Sequence, residues 1–187
     1  APLTSESLRP IGLANATQAD AVGSLARSAR WAAMLVCGPL RVALCTGRTP
    51  IRRALDQLDS AQILTAVRLT NRTLQHLGIA RPRIAVLNVN PTADEQGPGD
   101  EQQRSVITAM AAARSEGIDV RGPFPASAGL YEAIKGEADA AAAMYYDQAD
   151  VAIRLLNMRL SPAAAALPAA AVVMGLAMAC VLPAQEP

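Results

Sequence analysis

Three short apolar runs in this chain each end in residues able to bind a ligand or move a proton. Thr46 and Arg48 follow Leu40-Arg41-Val42-Ala43-Leu44-Cys45, Asn88 and Asn90 follow Ile84-Ala85-Val86-Leu87, and Tyr145, Tyr146 and Asp147 follow a small-residue run that closes at Met144. If the runs are parallel strands, these residues converge at one edge of a sheet. Loops and helix N-termini meet there and present backbone N–H groups and side chains to a ligand. Loop residues are polar anyway, so the convergence alone leaves a plain solvated edge as the other reading. A phenol can donate a hydrogen bond to a carbonyl or a developing enolate oxygen. Tyr146 is that candidate donor, with Asp147 to orient it or to act as base. Arg48 is a cation for a carboxylate. Arg154 is either a second cation for an anionic ligand or a solvated surface residue. In extended chain Tyr145 and Tyr146 would face opposite ways, so only one is expected to face a pocket directly.

The elements that must position these residues are legible from periodicity. Thr17 to Ala29 suits a first helix, and Trp31–Cys37 and Leu40–Cys45 read as strands around the Gly38-Pro39 turn. Pro50 suits a first helical position. Ser60 is a candidate cap for a helix to about Leu77, whose apolar positions Ile63, Leu64, Val67, Leu74 and Leu77 recur at helical spacing before Gly78. Ile84–Leu87 is a buried strand, and 88–99 a polar loop. Asp100 with Gln103 resembles a capping box for a helix to about Glu116. Ile118–Val120 is a strand, 127–136 a short helix, Ala138–Met144 a strand and Gln148 to about Met158 a helix. Alternation of strands and helices predicts an α/β fold of three layers, a mainly parallel sheet flanked by helices. The expected organisation is an irregular lead-in over 1–16 and a single domain over 17–187.

Composition narrows the function. Lys and Arg number 17 against 16 Asp and Glu, with no like-charge block, and aromatics make up 3%. Neither a nucleic-acid footprint nor a base-stacking surface is indicated. Three cysteines without a C-x-x-C pair read as reduced, buried thiols of a cytoplasmic protein. The one histidine, His76, reads as a helix-end residue. The N-terminus lacks a basic region followed by an apolar core, so no signal peptide is expected. The apolar, alanine-rich segment at 160–184 has no charge from Pro162 to Ala184, long enough for a bilayer. Alanine is weakly apolar and three prolines punctuate the run, so a buried strand plus helix is expected instead. Asp94, Glu95, Asp100 and Glu101 read as solvated acids, and no metal site is expected. With no G-x-G-x-x-G or P-loop, no cofactor is called for by a motif, NAD included.

Ala142-Ala143-Met144-Tyr145-Tyr146-Asp147-Gln148 resembles the alanine-methionine-tyrosine-histidine-aspartate-glutamine signature of the 4-hydroxythreonine-4-phosphate dehydrogenase family. Leu40–Thr46, Gly78–Ile84, Asn88 with Asn90-Pro91, Gly117–Asp119, Gly122–Ala126 and Asp139 through Gln148 resemble that family's runs in order and spacing, over about two-thirds of the chain. The resemblance implies the C-terminal half of the PdxA-like fold (the isocitrate/isopropylmalate dehydrogenase type), a nicotinamide cofactor, a divalent metal on three histidines and a homodimer that builds its cleft from both subunits. Those histidines correspond here to Ala16, Thr65 and Tyr146, and the cofactor-loop histidine to Thr92. Arg154 stands where the family has a lysine. Such replacements do not make a divalent-metal site.

The residues and the resemblance together suggest a repurposed, metal-independent enzyme of small-molecule biosynthesis. An isomerase, lyase, decarboxylase or cyclase step would use Tyr146 and Asp147, with Arg48, Asn90, Arg154 and Thr65 binding substrate. A non-catalytic relative serving as a binding or partner protein is the first alternative, and a residual NAD-dependent dehydrogenase the second. A cleft filled by Leu155 or Leu167 would favour the scaffold. A small-molecule substrate and a homodimer are expected, and nucleic acid and membrane are not.

Overall fold

The structure is a computed structural model that describes residues 22, 30–90, 101–160, 170–175 and 180–183. Its strands are β1 (Ala32–Cys37), β2 (Leu40–Leu44), β3 (Arg83–Leu87), β4 (Asp119–Phe124), β5 (Ala140–Ala143), β6 (Ala170–Met174) and β7 (Cys180–Pro183). Its helices are α1 (Ile51–Gln57), α2 (Ser60–His76), α3 (Glu101–Ser115), α4 (Ala126–Lys135) and α5 (Tyr146–Leu160). The strands form one sheet in the order β4-β3-β5-β2-β1-β6-β7. The α/β class stands, and the sheet is mixed. β4, β3, β5 and β2 pair in parallel, and β2-β1, β1-β6 and β6-β7 pair antiparallel.

Alternation along the strands makes two cores, one on each face. Ala43, Val86 and Ala142 pack against Ile63, Ala66 and Val67 of α2 and Val106, Met110 and Ala113 of α3. Val42, Leu44, Leu87, Ala141 and Ala143 pack against Leu130 and Ala133 of α4 and Ala149 and Ile153 of α5. Burying each large aliphatic side chain contributes about 1.5–3 kcal/mol, so the two layers are the main stabilising force. β5 consists of four alanines, all buried.

Helix ends follow their local chemistry. The cap of α2 is Asp59 rather than Ser60: its carboxylate accepts the Gln62 N–H at 2.7 Å. At the other end Gly78 takes φ +93°. Gly78 N then donates to Gln75 O and Ile79 N to Leu74 O, each at 3.0 Å, closing the helix in a Schellman turn. His76 lies in the last turn, as its position suggested. Gly129 of α4 faces Leu87 so closely that a Cβ there would run into Leu87 Cδ2.

The apolar C-terminal segment was expected to hold a buried strand plus a helix, and its residues 170–174 and 180–183 are two strands. Ala170–Met174 pairs along the whole of its length with β1, and Cys180–Pro183 pairs with it in turn. Among the described residues no helix is long and apolar enough to cross a membrane. The expected lead-in over 1–16, most of the first helix at 17–29, and positions 91–100, including Thr92, Asp94, Glu95 and the Asp100 cap, lie outside the described residues, as does 161–169 with Leu167.

Candidate functional site

The carboxyl ends of β2, β3 and β5 meet at one edge, as the strand-end residues required. Thr46, buried just past β2, donates its hydroxyl to Met144 O at 2.8 Å, and Cys45 N donates to Ala143 O at 2.8 Å. Burial pushes the Cys45 thiol up to about 12, which makes it a packing residue and not a nucleophile. Gln148 Oε1 accepts from Met144 N at 2.8 Å while Gln148 Nε2 donates to Asn88 O at 2.8 Å.

The chain turns into α5 at Tyr146, two residues earlier than periodicity placed the helix. Tyr146 and Asp147 are therefore first-turn residues and not extended chain, and opposite-facing tyrosines are not the right picture. Helical geometry puts Tyr146, Asp150 and Arg154 on one stripe. The Tyr146 hydroxyl donates to Asp150 Oδ1 at 3.0 Å, and Arg154 Nε donates to Asp150 Oδ2 at 2.8 Å. Arg48 crosses over the Tyr146 ring at 5.5 Å from its centroid. Burial, and then the neighbouring Asp150 carboxylate, hold the Tyr146 phenol above its usual range, with Arg48 and Arg154 opposing. At neutral pH it is a protonated donor.

An open hollow of about 360 Å³ lies here, lined by Arg48, Thr49, Pro50, Ile51, Tyr145, Tyr146, Asp147 and Asp150. Both tyrosines line it, where only one was expected to. A second hollow, of about 400 Å³, lies among Arg30, Trp31, Asp59, Gln62, Thr65 and Arg68, and shares no lining residue with the first. Of the sequence candidates, Arg48, Tyr146 and Asp147 come together, and Arg154 joins them through Asp150. Thr65 belongs to the second hollow, and its hydroxyl donates within α2 to Ala61 O at 2.8 Å. Asn90 is exposed beyond β3 and lines neither hollow. Asp150 was the residue that sequence reasoning missed. It, and not Asp147, meets the Tyr146 hydroxyl. The spacing of four that links 146, 150 and 154 was present, but it carries meaning only once the helix begins at Tyr146.

The protein-family model described as "Pyridoxal phosphate biosynthetic protein PdxA" matches residues 1–181. The chain belongs to the PdxA family. It is 34% identical over 158 residues to a D-threonate 4-phosphate dehydrogenase of Salmonella typhimurium, covering 84% of this chain and 48% of the relative. It is 35% identical over 158 residues to a 4-hydroxythreonine-4-phosphate dehydrogenase of Geobacter metallireducens, covering 84% and 47%. The structure of a 4-hydroxythreonine-4-phosphate dehydrogenase from Klebsiella pneumoniae superposes with a TM-score of 0.81 at 31% identity, covering 100% of this chain and 55% of that one. The chain thus spans about half the length of the curated relatives it matches.

Among the described residues, the donors do not fit the divalent metal implied by the PdxA resemblance. The Tyr146 phenol is held protonated and donates to Asp150, whereas a phenol ligates a hard ion as phenolate. Thr65 offers only a neutral hydroxyl, already donated to Ala61 O. Among the described residues no group of three or more His, Cys, Asp or Glu could hold an ion. Ala16 and Thr92 lie outside the described residues.

Proposed function

We propose that this PdxA-family chain acts on a small anionic organic molecule bound in the Tyr146 hollow, by a step that draws on side chains and not on a bound metal. The carrying observation is the Tyr146–Asp150–Arg154 stripe with Arg48 across the ring. A neutral phenol held ready by a carboxylate can turn its proton to a carbonyl or enolate oxygen, and such a donor lowers the barrier where negative charge develops. Arg48 supplies the cation for a carboxylate or phosphate. Asp150 is engaged by two donors, so Asp147, exposed on the rim, is the carboxylate left to take a proton. An isomerisation, elimination, decarboxylation or cyclisation fits that set. Leu155 is exposed at 62% and does not fill the hollow, which weighs against a purely structural relative.

Self-association belongs to this reading. Thr65 and Tyr146 lie in separate hollows, and they serve one site only if a second copy brings the Thr65 hollow of one subunit to the Tyr146 hollow of the other. Cytoplasmic residence also belongs to it, on the buried and unpaired thiols of Cys37 and Cys45.

A second reading, an NAD-dependent dehydrogenase, has the names of the relatives behind it. One experiment separates the two. Thermal midpoints are recorded with NAD, with divalent ions, and with phosphorylated and unphosphorylated hydroxy acids, for the protein and for Tyr146→Phe. A ligand that binds the native state alone raises the midpoint by mass action. A hydroxy acid that shifts the protein without NAD or metal, and is turned over about a hundredfold more slowly by Tyr146→Phe, supports the first reading. Turnover that requires NAD and a metal, indifferent to Tyr146→Phe, overturns it in favour of the second.

A further inference from the structure

One side chain bridges two of the four parallel-strand ends without lining the hollow. Gln148 sits in the first turn of α5. Its Oε1 accepts from Met144 N, just past β5, at 2.8 Å, and its Nε2 donates to Asn88 O, just past β3, at 2.8 Å. The line continues on both sides. Asn88 N donates to Phe124 O of β4 at 2.7 Å, and Met144 O accepts from the buried Thr46 hydroxyl beyond β2 at 2.8 Å. Asn88 Oδ1 accepts from the buried Gln103 Nε2 of α3 at 3.2 Å. A polar line thus ties β4, β3, β5 and β2 together directly beneath the residues that carry the chemistry. We propose that Gln148 is the positioning residue of the hollow, fixing the path from Met144 into α5 and so the placement of the Tyr146–Asp150 pair.

The amide is the right group for this. The bond to Met144 N requires an acceptor and the bond to Asn88 O a donor, and a primary amide offers both from one side chain. A carboxylate keeps the acceptor and loses the donor. A methyl loses both and orphans the Met144 N–H. Reaching back from the helix's first turn is the task that Gln or Glu performs in a capping box, here extended to a neighbouring strand. The inference deepens the reading of the Tyr146 hollow as the functional site, yet its test needs no ligand.

The chain holds three tyrosines, so ring-labelled tyrosine gives a simple NMR spectrum in which Tyr146→Phe assigns the Tyr146 signal. Gln148→Ala is expected to move that signal while Tyr131, on α4, stays in place. Gln148→Glu, with one bond kept, is expected to move it less, and keeps the test decisive if the alanine variant does not fold. Thr70→Val removes a buried hydroxyl of α2 that donates to Ala66 O, and is the control for a merely structural loss: its midpoint changes and the Tyr146 signal does not. A Tyr146 signal in either Gln148 variant that coincides with the unsubstituted protein, or one that Thr70→Val moves equally, overturns the proposal. Failure to find a ligand in the midpoint screen overturns the functional reading alone, because the ring signal is read without one.

Discussion

Arg83–Asp139 and Arg154–Asp150 are the same ion pair at opposite edges of one sheet, put to different uses. At the amino edge, Asp139 accepts from Arg83 N at 2.8 Å and from Arg83 Nε and Nη2 at 3.0 Å, and the same guanidinium donates to Gly136 O at 2.7 Å. The bonds to Asp139 join the start of β3 to the entry of β5, and the bond to Gly136 O ties the same guanidinium to the end of α4. The hydrogen bond from Arg83 holds Asp139 below the usual carboxylate range, against a burial penalty. At the carboxyl edge Asp150 divides itself between Arg154 and a phenol, and its charge adds to burial in holding that phenol above its usual range. The first pair closes a seam. The second sets the state of a third group that faces an open hollow. A charged pair gains functional meaning from what its carboxylate has left to share, and the geometry of the pair alone does not reveal this.

The contrast can be broken at four points. Asp139→Ala orphans the Arg83 N–H and guanidinium in a partly buried seam, and is expected to cost about 1–3 kcal/mol by chemical denaturation. A loss no greater than that of Asp150→Ala would erase the distinction. Asp139→Asn carries the same test into pH. A carboxylate with a depressed folded pKa stabilises above its unfolded value of about 4, and the contribution is lost as pH falls through the folded pKa. The stability gap between the protein and Asp139→Asn should therefore close in acid below pH of about 4, and a gap that widens there refutes the assignment. Asp150→Asn is expected to stay within about 1 kcal/mol in stability, as a partly exposed pair should. It should lower the Tyr146 phenol titration, read by ultraviolet absorbance against Tyr146→Phe. The smallest effect belongs to Arg48→Ala. Loss of an exposed cation–π contact costs about 0.5–1 kcal/mol at most. The same titration should rise, opposite in sign to Asp150→Asn, and two shifts of the same sign would mean that the hollow's charges do not act through Tyr146.

Most of this architecture was legible because it is written in short-range patterns. The long helix α2 follows its apolar spacing, and β2 and β3 follow their largely aliphatic runs. The errors have particular causes. Asp59 and Ser60 are both good caps, and adjacent residues of equal propensity are decided by where the backbone turns. The 160–184 segment was expected to hold a strand and a helix with no position given for either, and 170–174 and 180–183 pair as antiparallel strands. Pairing with β1 is a tertiary contact that overrides propensity, and Val172 and Val173 suit it. The strand ends showed where a site could lie. They could not show that Thr65 and Tyr146 fall in separate hollows, because that depends on which face of the sheet each helix covers. Asp150 was hidden by a two-residue error in one helix boundary.

β5 carries nothing larger than a methyl on either side. A valine at Ala141 or Ala143 would press on the α4–α5 layer, and one at Ala142 on the α2–α3 layer, and overpacking of this kind costs about 1–3 kcal/mol. β5 is thus a waist with no slack. Room for a larger guest is set instead by the hollow's own lining, residues such as Arg48, Thr49 and Asp147, none of which belongs to β5.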